Sequence, residues 1–156
     1  MKSAEIISRI LQEIERFGFS IKKPVCIGHN EKRLSLYASE NGINIASGGL
    51  YTSPKALAHM TRQIKIKNGI IVPSSKISAF PSMRQKFDLF YDKYAGIFIY
   101  VDTEKNKYVI HPSYQLTLGK RKKQVVFFLT ASKLKSLENF YNDTRRYDII
   151  KKRRGD

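Results

Sequence analysis

Acidic side chains are scarce in this chain, so the few that could hold a metal ion stand out. Its 156 residues carry 13 Asp plus Glu against 29 Lys plus Arg. Glu5, Glu13, Asp88, Asp92, Asp102 and Glu104 are the carboxylates to inspect. A metal-dependent nuclease needs two or three carboxylates converging on Mg2+. The ion binds the scissile phosphate and lowers the pKa of the attacking water. A nearby lysine stabilises the charge that develops. Gln63-Ile64-Lys65 reads as a strand with an amide and an ammonium on one face. Asp88 opens a strand. Asp102 and Glu104 alternate as on a strand face, but they lie between two apolar strands, where turn solvation explains them better.

The cations form the sharpest cluster. Lys120-Arg121-Lys122-Lys123 places four adjacent positive charges in a tight connection between strands. Lys151-Lys152-Arg153-Arg154 adds four more in a short C-terminal tail. Such charges repel one another unless anions lie nearby, and backbone phosphates supply those without sequence readout. The net charge is +16, with +6 over residues 1–104 and +10 over residues 105–156. Nucleic acid, DNA before RNA, is the expected partner. Tyr91, Tyr94 and Tyr100 lie near basic residues and could stack on unpaired bases, although core packing is the commoner role for such tyrosines.

Other chemistries find no support. His29, His59 and His111 pair with no nucleophile, and no glycine-rich phosphate loop follows a strand into a helix. One cysteine gives neither a disulfide nor a zinc spacing, and Cys26 between Val25 and Ile27 reads as a small core residue. No apolar run approaches ~18 residues and no signal-peptide core opens the chain, so a cytoplasmic protein with no membrane contact is expected. Abundant Lys, Ile and Tyr fit an AT-rich coding sequence, as in a virus or mobile element.

The elements that must position these groups follow from periodicity. Residues 3–17 predict a helix, with Ser3 as cap, Glu5 in the first turn, and Ile6, Ile7, Ile10, Leu11, Ile14 and Phe17 on one face. Gly18 closes it. Strands are expected over Phe19–Ile27 and Arg33–Tyr37, with a return at Ile43–Ile45 after the Asn41-Gly42 turn. Ser53-Pro54 starts a second helix through Met60. Gln63–Lys67 and Ile70–Val72 read as a further hairpin, and Pro73–Pro81 as a Ser-rich loop. Strands then recur at Phe87–Tyr91, Ala95–Val101, Tyr108–Ile110 and Gln124–Leu129. Ser132 caps a last helix bearing Leu134, Leu137 and Tyr141. The expectation is one α/β (α+β) domain over residues 1–150, with a central mixed sheet, flanking helices and a basic tail at 151–156.

The opening helix with "RFGFSI", then "RLSLYASENGINI", "IKIKNGIIVPSS" and "FDLFYDKYAGIFIYVDTEKNKYVIHP", resembles the PD-(D/E)XK nuclease superfamily in order and style. This is the restriction-endonuclease-like fold, which includes archaeal Holliday-junction resolvases and small homing endonucleases. The family motif is an Asp, then Glu or Gln, then Lys on a strand hairpin. On "RLSLYASENGINIAS" it departs to Ser35 and Asn44-Ile45-Ala46. On Gln63-Ile64-Lys65 it keeps Gln-x-Lys, with Glu40 as the nearest preceding acid. On Asp88, Asp102 and Glu104 it leaves Lys105 or Lys107 off the usual spacing. The resemblance implies catalytic Glu5, Gln63, Lys65 and Asp88, with Mg2+ on Glu5 and Asp88, and a homodimer. Three readings stay open: a nucleic-acid-binding protein with a nuclease-like fold, an active Mg2+-dependent endodeoxyribonuclease, and an RNA-binding or regulatory protein without catalysis.

Overall fold

The computed structural model describes residues 2–135 and 138–151, without the side chains of Gln63 and Ile64. It is a mixed α+β domain built on one seven-stranded sheet. The helices are α1 (Ser3–Phe17), α2 (Lys32–Glu40), α3 (Pro54–Met60), α4 (Gln63–Lys67) and α5 (Ser74–Met83). The strands are β1 (Val25–Gly28), β2 (Leu50–Thr52), β3 (Asp88–Asp92), β4 (Ile97–Val101), β5 (Asn106–Leu118), β6 (Arg121–Lys133) and β7 (Tyr147–Ile150). Their order across the sheet is β1-β2-β6-β5-β4-β3-β7, and β2 runs parallel to β6 while the other neighbours are antiparallel. No helix among the described residues is long and apolar enough to cross a membrane.

Both faces of the sheet are covered where β3, β4 and β5 meet, which explains why β4 is apolar throughout. Phe98 and Tyr100 point to the helical side, where Phe80 of α5 stacks on Tyr108 at 4.5 Å between ring centres and meets Phe128 at 4.6 Å. Ile99 and Val101 point the other way and join Phe90, Val109 and Phe140 in a smaller core. Alternation along a strand produces this division.

Several local expectations fail for identifiable reasons. Residues 33–37 form α2, not a strand, because Leu34 and Ala38 are both buried and stand four apart, a spacing the alternation masked. Residues 43–45 consequently form no return strand. Gln63–Lys67 is a short helical turn, and Ile70–Val72 offers only a carbonyl, Ile70 O, to the Lys133 amide. The Ser-rich segment forms α5, with Ile77, Phe80 and Pro81 buried at helical spacing despite the proline. Of Phe19–Ile27 only the part from Val25 is strand, and Phe19 and Ile21 are exposed. Ser3 is the first helical residue, not the cap, which is Lys2. Ser132 lies inside β6, so no helix starts there, and Leu137 lies outside the described residues; β7, which closes the far edge, follows turns capped by the Asn139 and Asp143 side chains. Cys26 is exposed because β1 is an edge strand. Gly49 is required by close approach: a Cβ there would sit 2.6 Å from the Gly28 carbonyl.

A buried ionic group ties α2 to the sheet. The Arg33 side chain is 5% exposed and donates to Glu31 Oε1 at 2.6 Å, Phe87 O at 2.9 Å and Arg84 O at 3.1 Å. Tyr100 donates to the other Glu31 oxygen at 3.2 Å. Arg84 is also buried, and its Nη1 has no hydrogen-bond partner. The Glu31 carboxylate thus compensates the buried Arg33 guanidinium. Removing it with Glu31→Gln should destabilise the fold by about 3–5 kcal/mol, because uncompensated buried charge remains. Urea denaturation measures this, and a loss below about 1 kcal/mol would show that Arg33 finds other partners.

Asp92 organises the β3–β4 turn. Its carboxylate accepts from the amides of Tyr94 at 3.0 Å and Ala95 at 3.1 Å, and from Arg146 at 2.9 Å. Burial alone would raise its pKa, but the Arg146 guanidinium and these two amides outweigh burial and hold it below 3.8. A lowered carboxylate pKa gives stability that is complete above 3.8 and is lost as pH falls through the folded value. Asp92→Asn should flatten the fall of unfolding free energy in that acid window, and an unchanged acid limb in denaturation against pH would remove Asp92 from it.

Candidate functional site

Two stretches of the sequence, residues 41–87 and 105–137, contain no acidic residue, yet they hold seven and eight of the cations. The fold laces them together. Leu50 and Tyr51 of β2 pair with Val126 and Phe127 of β6. The Ala46 amide donates to Pro112 O at 2.9 Å. Beyond β2 the open edge of β6 is satisfied by other groups. The Thr52 hydroxyl donates to Phe128 O at 3.1 Å, and the Lys65 ammonium to Ala131 O and Thr130 Oγ1, each at 2.8 Å. Covering an edge in this way meets its backbone groups and blocks pairing with another chain.

β5 and β6 outrun their neighbours. β4 pairs with β5 as far as Ile110, and β2 pairs with β6 from Val126. From there to the Gly119-Lys120 turn the two strands pair only with each other in the sheet. Gly119, with φ +65°, supplies the left-handed residue that a tight hairpin connection requires. The root of this ribbon is packed, with Val125 and Leu116 buried, while Lys120, Arg121, Lys122, Lys123 and Gln124 are exposed. Arg121–Lys123 therefore belong to a strand, not a loop, and project alternately to its two faces. None of the four cations has an acidic partner among the described residues. Lys123 reaches back to Tyr51, with its ammonium 3.3 Å from the hydroxyl and 5.2 Å from the ring centre.

A cleft of about 340 Å³ opens beside the root of the ribbon. Lys55, His59 and Arg62 line it from α3 and the following turn, and Tyr114, Phe127 and Thr130 from the ribbon. Tyr114 lies flat on Phe127, with ring centres 4.3 Å apart and planes 14° apart. Burial together with the charges of Lys65 and Arg62 lowers the His59 pKa below its usual 6.5. The cleft thus has an aromatic floor and a cationic rim.

The residues singled out for metal chemistry lie apart. Glu5 borders a shallow hollow between α1 and Ser78 of α5. Asp88 accepts from the Tyr141 hydroxyl on the opposite side of the sheet, which pushes the phenol pKa up to about 12. Lys65 is buried against β6, and desolvation, then the Lys107 and Arg62 charges, lower its pKa. Gln63 shares the α4 turn with Lys65, not a strand face, and its side chain lies outside the described residues. The remaining carboxylates have local duties: Glu13 pairs with Lys22, Glu104 with Lys76, and Asp102 caps its turn by accepting from Glu104 N and Asn106 N. No group of three metal-ligating side chains gathers among the described residues. Ser35 and Asn44 lie on α2 and the following loop, not on a hairpin.

The basic groups divide as well. Lys151 leaves β7 at the end of the sheet that carries Asp88 and the Asp102 turn, opposite the Lys120 tip. Lys152, Arg153 and Arg154 lie outside the described residues. Of the tyrosines chosen from sequence, Tyr100 is fully buried, Tyr91 packs on Phe98, and Tyr94 is exposed beside Arg146. Tyr51, Tyr114 and the α3 cations went unnoticed. The signal for them was the pair of acid-free stretches, and what it lacked was the parallel β2–β6 pairing that joins them. Comparison with protein-family models, curated proteins and solved structures finds no match to this chain.

Cations held together by the fold should take up a polyvalent anion. Tripolyphosphate at about 1 mM should raise the melting temperature by a few degrees over sodium chloride of equal ionic strength. Neutralising Lys120–Lys123 to Ala should remove most of that gain. An equal gain in both proteins would place anion uptake elsewhere.

Proposed function

We propose that the chain is a nucleic-acid-binding protein, with duplex DNA as the partner, that grips phosphates with the β5–β6 ribbon. The observation that carries this is the two-stranded basic tip, where Lys120, Arg121, Lys122 and Lys123 are exposed and without acidic partners among the described residues. A two-stranded ribbon fits the major groove of B-form DNA, about 12 Å wide. Alternation sends Arg121 and Lys123 to one face and Lys122 to the other, so the two phosphate walls of a groove can both be met. Contacts of this kind position a protein without specifying sequence. The spread of the carboxylates, each serving a turn, an ion pair or a separate surface, favours binding over metal-assisted cleavage.

Each phosphate neutralised adds about 0.9 to the slope of log affinity against log salt for duplex DNA. Replacing Lys120, Arg121, Lys122 and Lys123 by Ala should lower that slope by up to about 3.6 and weaken binding at least about tenfold near 0.1 M salt. Fluorescence anisotropy with a labelled 20–30 base-pair duplex over a salt series reads both quantities. A variant that binds with the parent's slope would exclude the ribbon as the phosphate grip.

A further inference from the structure

The cleft beside the ribbon's root differs in kind from the basic tip. Its walls are cationic but its floor is aromatic, and a phosphate alone has no use for the floor. Tyr114 is half-buried and laid on Phe127, so its ring is held in a fixed plane. Lys55, His59 and Arg62 are exposed on the opposite wall, and Ser53 and Thr130 add hydroxyl groups. Both stretches that form the cleft are free of acidic residues, so nothing in its walls repels an anion. The volume of about 340 Å³ is that of a small-ligand pocket and is too narrow for a paired duplex.

The cleft also lies on the route from the tip. Phe127, Lys123 and Arg121 are separated by even numbers of residues on β6, so they project to one face of that strand. Tyr51, the register partner of Phe127, carries the Lys123 ammonium over its ring. A backbone that meets Arg121 and Lys123 at the tip is therefore led past Tyr51 towards the cleft.

We propose that this cleft is a subsite for one unpaired nucleotide of the nucleic acid held by the ribbon. The base lies against the Tyr114 ring, which the buried Phe127 backs, and its phosphate meets Lys55 and Arg62. Flat rings accept any base by stacking, which gives affinity for unpaired strand without sequence readout. His59 on the rim has ring nitrogens that can donate to or accept from the base edge. This rests on the nucleic-acid reading above and deepens it, since the preferred partner becomes a duplex that carries an unpaired end or gap.

The test compares a blunt duplex with the same duplex bearing a short single-stranded extension, using the full chain and anisotropy at one salt concentration. The extension should raise affinity about tenfold in the parent protein. Tyr114→Ala should abolish that gain, while Tyr114→Phe should keep it. Arg62→Ala should halve the gain or better. Equal affinity for both DNAs in the parent, or a gain that survives Tyr114→Ala, overturns the subsite and leaves the ribbon's duplex grip standing. Absence of binding to either DNA overturns both. Thermal melting of Tyr114→Ala and Tyr114→Phe checks that each variant is folded, and Arg62→Ala, at an exposed position, supplies a second reading that does not touch the aromatic stack.

Discussion

Two strands of 13 residues, β5 and β6, pair along their length and span the domain from the Asp102 turn to the Gly119 turn. Every other part takes its position from that ladder. β4, β3 and β7 extend it on one side, β2 and β1 on the other, and Lys65 of α4 covers the edge that β2 leaves open. At roughly 3.3 Å per residue the ladder is about 40 Å long. It therefore does two jobs that a shorter pair could not combine. Its lower half is core, with Tyr108 and Phe128 against Phe80, and its upper end is a polar ribbon beyond the rest of the sheet.

The same segregation appears in the interior. Arg33 is buried against a single carboxylate, Glu31, in a chain with more than twice as many cations as anions. Buried ion pairs seldom add net stability, but they make alternatives costly, since any arrangement that separates the partners strands a charge in an apolar setting. Here the group fixes α2 against the turn before β3, through the Phe87 and Arg84 carbonyls. Asp92, itself buried, and Asp102 serve comparable ends, each collecting the amides of one sheet turn. The acids are few, and most of those with visible partners serve the fold.

Strong local signals were readable in the sequence. The 15-residue α1, the Ser53-Pro54 start of α3 and the apolar runs of β3 and β4 all match what the residues predict. Five-residue alternations misled. Arg33–Tyr37 and Gln63–Lys67 each fit a strand and a helical turn equally well, and tertiary burial of Leu34, Ala38 and Lys65 decided between them. Pro81 hid α5 because a proline there removes one hydrogen bond while Ile77 and Phe80 still gain a core. The cleft was beyond reach for another reason. Its walls come from residues some sixty positions apart, joined by a parallel strand pair that no local pattern announces.

Asp88, Asp102, Glu104 and Glu138 lie towards the end of the ladder opposite the ribbon tip, and Lys76 and Lys107 lie there with them, paired to Glu104 and Glu138. Charge at that end is therefore mixed and partly cancelled, whereas the tip carries cations with no acidic partner among the described residues. The field outside a protein is set by the charge its neighbours leave uncancelled. An approaching polyanion would therefore feel the Lys120 end more sharply than the end where carboxylates and ammonium groups alternate.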